Sequence, residues 1–198
     1  MRRWLLGAGA LMLPIGWWLS SGGLGMTGHM AGHMLAVAVA APLIAAGLSG
    51  TRADPARRWP RVVTPMAAML AELVIVWSWH LPAAREAVMA TRAAMLTEQA
   101  MYLGAGLALW SAAFAAPNRA SGIGALLLTS MHMTLLGALI GLAPRPLYGE
   151  MAMMDHGLDP LADQQLGGVV MLTIGAASYL LGGLALLAKV LSGREASA

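Results

Sequence analysis

The chain has 198 residues, 59% hydrophobic and 11% charged, with a formal charge of +3 and a mean hydropathy of +0.69. Soluble domains carry about 25% charged residues, so the composition excludes a soluble domain and marks an integral membrane protein; the basic excess then reflects loop topology and not a nucleic-acid partner. With no cysteine in the chain, disulfides and thiolate metal sites are excluded too.

Six apolar segments follow one another at 4–20, 29–49, 62–80, 94–116, 122–143 and 166–191. Each is close to the ~20 residues that a helix needs to cross a bilayer. The expected fold is an all-α bundle of about six transmembrane helices, built as one domain over 1–198. Nine of the twelve basic residues (Arg2, Arg3, Arg52, Arg57, Arg58, Arg61, Arg119, Lys189 and Arg194) fall on one side of it. The positive-inside rule puts that side, and both termini, in the cytoplasm. The alternative for 1–21 is a signal peptide with Arg2 and Arg3 as its n-region, although Ser20-Ser21-Gly22-Gly23 offers no clear cleavage site. Pro42, in mid-span, predicts a kink that membranes tolerate. The paired glycines at 104/106, 122/124, 137/141, 167/168 and 182/183 predict close helix packing in lipid.

The second span opens with Met26, His29, Met30, His33 and Met34. Residues three, four and seven apart share a helix face, so the spacing predicts one stripe of thioethers and imidazoles at the outer boundary. Soft sulfur with imidazole suits Cu(I) better than the common divalent ions. The third span ends at Trp77-Ser78-Trp79-His80 with Pro82 as its stop, which brings His80 to the membrane level of His29 and His33. The loop 144–165 lies on the same side. It carries Met151, Met153, Met154, Asp155, His156, Asp159 and Asp163, an acidic and Met-rich composition that either attracts a cation or is simply solvated. His132 and Glu72 fall near mid-membrane, where an ionisable group is a functional candidate by default.

Met30 stands where a zinc protease motif needs Glu. No phosphate loop, nucleophile elbow or dinucleotide fingerprint occurs, so no enzymatic turnover is expected.

The pieces His29-Met30-x-x-His33-Met34, Pro42-Leu43, Trp79-His80-Leu81-Pro82, Pro146-Leu147-Tyr148 and Leu161-Ala162-Asp163-Gln164-Gln165-Leu166-Gly167-Gly168 resemble, in order, the multi-spanning cytochrome c oxidase assembly factors called CtaG. The resemblance implies a multi-pass protein of the bacterial inner (plasma) membrane that helps mature a haem-copper oxidase by supplying copper to its catalytic subunit. The implied partners are the lipid bilayer, oxidase subunits and a periplasmic copper donor. On this reading His29, His33 and His80 hold Cu(I), and Met26, Met30 or Met34 act as softer ligands. Asp163 would orient a histidine through a hydrogen bond, and His132 would be a deeper waypoint or a structural residue. Two other classes remain open: a non-metal scaffold for oxidase subunits, and a b-type haem protein in which His33 or His80 faces His132. A copper permease would need a polar path to the cytoplasmic side, and 123–128 offers no polar ligand.

Overall fold

The computed structural model describes residues 2–149 and 157–195. They form helices α1 (Arg2–Ser21), α2 (Gly25–Met34), a π-helical segment (Leu35–Ala40), α3 (Ala41–Leu48), α4 (Pro55–Arg58), α5 (Pro65–Trp79), α6 (Pro82–Ala90), α7 (Arg92–Ala115), α8 (Arg119–Gly141) and α9 (Pro160–Glu195). The expected all-α membrane bundle is what forms. The helix starts are written locally. Proline opens α4, α5, α6 and α9, where its fixed φ suits a first turn and its missing N–H costs nothing. The Thr91, Asn118 and Asp159 side chains accept hydrogen bonds from the first backbone amides of α7, α8 and α9.

The number of crossings differs from the sequence expectation. The stretches Arg2–Ser21, Gly25–Leu48, Arg119–Gly141 and Pro160–Ser192 are long and apolar enough to span, and α5 with α6, bent by 73°, makes a fifth if taken together. Helix length and hydropathy therefore support four or five crossings where six were expected. The expected fourth span is helix α7, but it begins with Arg92 and carries Thr97, Glu98 and Gln99, which dilutes its apolar character.

Pro42 has a specific local consequence. The Ala41 amide reaches back to the carbonyl of Ala36, the five-residue spacing of a π turn, and Pro42 has no N–H to offer the next carbonyls. Other helices satisfy them. Trp110 Nε1 donates to Val37 O at 3.0 Å and Ser178 Oγ donates to Ala38 O at 2.6 Å. Tyr179 stacks on Trp110 and donates to Glu72 Oε1 at 2.5 Å. The broken ladder at mid-membrane is thus stitched to α7 and α9, and through Tyr179 to α5, which gives the Val37 and Ala38 carbonyls partners.

Helices α8 and α9 pack closely. A methyl group on Gly168 would lie 2.6 Å from Gly137 O and from the Gly141 backbone. In lipid, such contact supplies van der Waals attraction that the hydrophobic effect does not. Only one member of some glycine pairs is used this way: Gly106 and Gly122 are crowded, whereas Gly104 and Gly124 face open space. Gly168→Ala is expected to destabilise the bundle by about 1–3 kcal/mol through overpacking, and Gly104→Ala to be neutral. Thermal unfolding in detergent compares the two; equal melting points would count against the close packing.

Candidate metal centre

The turn before α2 uses Gly23 and Gly25, both at positive φ (74° and 61°), which glycine adopts without strain. It folds α2 back along α1. Helix α2 then has no side-chain cap of its own. Asp163, from the first turn of α9, supplies one from 137 residues away: Oδ2 accepts from Met26 N at 2.6 Å, and Oδ1 accepts from Thr27 N at 3.0 Å. A carboxylate at a helix N-terminus meets both the orphan amides and the positive end of the helix dipole. These contacts to backbone steady the helix that carries His29 and His33.

The neighbouring Gln164 ties down the loop before α9. Its Nε2 donates to Ile140 O at 3.1 Å and Arg145 O at 3.3 Å, and its Oε1 accepts from Leu147 N at 2.6 Å. That positions Tyr148, whose hydroxyl donates to the His80 carbonyl at 3.0 Å. Burial pushes the Tyr148 phenol up to about 12, so it stays a donor across the physiological range. The Pro146-Leu147-Tyr148 and Asp163-Gln164 motifs therefore converge, through backbone, on the two segments that bear the histidines.

Those histidines come together. His29 and His33 from α2 and His80 at the end of α5 are all buried. Their ring centroids lie 5.2 Å (His33–His80), 5.6 Å (His29–His80) and 6.4 Å (His29–His33) apart. Among the described residues, both ring nitrogens of His29 and His33, and Nε2 of His80, have no hydrogen-bond partner. His80 Nδ1 lies 2.6 Å from Val76 O. That contact requires the Nδ1–H tautomer and leaves the Nε2 lone pair free, the arrangement typical of a metal-ligating histidine. A nitrogen about 2.0 Å from a first-row ion puts its ring centroid roughly 3 Å away, so three rings around one ion sit roughly 5–5.5 Å apart. The observed spacing is close to this. As the rings now lie, however, the described residues contain no group of three or more His, Asp or Glu at metal-holding distance.

Three further residues border the trio, and the sequence reading did not assign them to it. Tyr102 stacks on His33 with centroids 4.0 Å apart and planes 7° from parallel, and it donates to Glu98 Oε1 at 3.2 Å. Glu98 is ion-paired with Arg85, and its Oε1 lies 3.9 Å from His29 Nε2. All three are buried. A signal was present: Glu98 falls inside an apolar segment, where an ionisable residue is expensive and so tends to have a purpose. A cleft of about 190 Å³, lined in part by Arg85, Met89, Met95 and Glu98, leads to His29.

The expected single stripe on α2 divides. A methyl on Gly167 would lie 3.1 Å from Met26 Cγ, and one on Gly175 would lie 3.4 Å from Met34 Sδ, so these methionines pack on α9. His29 and His33 turn instead towards Tyr102 and His80. Met30 is fully buried. His132 is buried and within electrostatic reach of His33, but among the described residues it makes no ring contact with His33 or His80. Glu150, Met151, Met153, Met154, Asp155 and His156 lie outside the described residues.

The sequence profile of the cytochrome c oxidase caa3 assembly factor family (Caa3_CtaG) matches residues 2–192. The chain belongs to this family. No curated protein and no solved structure matches it. CtaG membership accounts for the order of the five motifs, and the geometry gives them a common destination: the Trp79-His80 corner, the α2 histidines and the Asp163-Gln164 latch meet at one pole of the bundle.

Proposed function

We propose that this CtaG-family protein binds Cu(I) through His29, His33 and His80 and passes it to the catalytic subunit of a haem-copper oxidase in the bacterial plasma membrane. The observation that carries the reading is the convergence of three buried imidazoles from two helices with five unpartnered ring nitrogens. Burying polar nitrogens without partners is unfavourable, and a soft cation that takes two or three of them relieves that cost. Imidazole and thioether together favour Cu(I) over magnesium or calcium. Glu98 beside His29 neutralises the Arg85 guanidinium, which would otherwise repel a cation at the rings. Met89 and Met95 in the cleft supply weak thioether contacts along the approach.

The basic pole, opposite the histidines, holds Arg2 beside Gly50 and brings Arg119 and Lys189 to one cavity. The positive-inside rule turns it to the cytoplasm. The histidine pole then faces outward, where a periplasmic donor reaches it and where an oxidase subunit accepts copper. The role is delivery rather than turnover, so affinity is matched to release.

The test is an anaerobic Cu(I) titration of the detergent-purified protein against a competing chromophoric chelator, with a visible spectrum recorded alongside. One Cu(I) per chain is expected. No binding above the chelator's hold would leave a scaffold for oxidase subunits, and a Soret band would indicate haem instead.

A further inference from the structure

The pole opposite the histidines carries a second feature that copper handling does not use. A cavity of about 610 Å³ opens between the ends of α3, α7, α8 and α9, lined by Ser49, Phe114, Arg119, Leu186 and Lys189 among others. We propose that it binds the phosphate headgroup of an anionic membrane phospholipid.

The argument begins with charge. Arg119, in the first turn of α8, and Lys189, near the end of α9, are far apart in sequence but line the same cavity. The ion pairs among the described residues involve Glu98 with Arg85 or His29, so neither Arg119 nor Lys189 is neutralised by a carboxylate there. Arg119 is held in position: its Nη1 donates to Phe114 O at 2.9 Å. A guanidinium has five N–H donors, so most remain for a ligand, and its planar fork suits phosphate. The ammonium of Lys189 adds a point charge, and the Ser49 hydroxyl a neutral donor.

The remaining lining decides between an amphiphile and a small soluble anion. Phe114, Leu186, Ala46 and Val190 form apolar walls, a surface that a free phosphate ion has no reason to occupy and that an acyl chain does. The cations stand at the end of the bundle, with Arg2 and the Arg57–Gly50 contact close by, at the level where a span leaves the hydrocarbon. Basic pockets between helices at this level suit lipid headgroups, each cation near the surface adding to the attraction. Occupancy would join α3, α7, α8 and α9 at the pole away from the copper site, stabilising the bundle without touching the histidines.

The experiment uses the full chain, purified in a zwitterionic detergent. Phosphatidylglycerol, phosphatidylcholine with the same acyl chains, and inorganic phosphate are added separately. Native mass spectrometry reads retained lipid, and thermal unfolding reads the shift in melting temperature. Phosphatidylglycerol is expected to be retained and to raise the melting temperature. The Arg119→Gln/Lys189→Gln variant should lose roughly tenfold or more in affinity, and Arg119→Lys/Lys189→Arg should keep most of it. Equal retention of phosphatidylcholine, or undiminished phosphatidylglycerol binding in the Gln variant, would overturn the proposal. A full thermal shift from inorganic phosphate alone would overturn the lipid assignment. If the Gln variant does not fold, the lipid comparison on the unmodified chain still decides.

Discussion

Replacing His29 and His33 together by alanine is expected to abolish measurable Cu(I) binding while leaving a folded bundle. The two residues supply two of the three converging rings. Losing a hydrogen-bond partner of a ligand already costs ten- to a hundredfold in affinity; loss of two ligands is expected to exceed about a hundredfold. The fold survives for a specific reason. Among the described residues the ring nitrogens of His29 and His33 make no hydrogen bond, so their removal orphans no polar group there, and the start of α2 remains held by Asp163. Chelator competition measures the first effect and helical circular dichroism in detergent the second. His80→Ala should act in the same direction, because its ring lies 5.2 and 5.6 Å from the other two. Unchanged copper affinity in the His29→Ala/His33→Ala variant would remove the proposed site and leave the rings as packing.

The largest effect on stability is expected from Arg85→Ala. Arg85 and Glu98 are 3% and 1% exposed and form an ion pair, with Tyr102 donating to the same carboxylate oxygen. Removing the guanidinium leaves a buried, uncompensated carboxylate next to His29, and breaking a buried pair from one side costs about 3–5 kcal/mol. The double variant Arg85→Ala/Glu98→Ala should recover a large part of this, because it leaves neither charge unpaired. Thermal unfolding of the two single variants and the double forms the cycle. A double variant as unstable as the sum of the singles would mean that the pair does not act as a unit. Glu98→Ala alone carries a second expected consequence: with Arg85 uncompensated near the rings, Cu(I) affinity falls even if the bundle folds.

Much of the site was legible in the chain. Helical periodicity placed His29 and His33 on one face, and the parity of the helices brought His80 to their level. Both inferences need only local geometry and the thickness of a membrane. The split of the α2 stripe was not legible, because both faces of α2 are equally apolar and only the neighbours decide which one receives sulfur and which imidazole. Gly167 and Gly175 leave room on α9 for Met26 and Met34; the flat ring of Tyr102 receives His33. Asp163 lies in the most specific motif, yet its partners include amides 136 and 137 residues away. No spacing rule connects a helix start to a cap on another helix. Glu98 drew no attention beside Glu72 and His132, though by the same reasoning about buried charge it qualified.

The sequence by itself determined the class of protein, the helices and the level at which the histidines sit. Those follow from hydropathy, proline punctuation and a 3.6-residue period, each a property of contiguous residues. The tertiary structure alone decided which rings meet, which methionines turn away, that Arg85 and Glu98 pair beside them, and that Arg119 and Lys189 share a cavity at the other pole. Each of these is a contact between helices distant in sequence. Its free energy depends on the shape and charge of two surfaces at once, and neither segment contains that information alone.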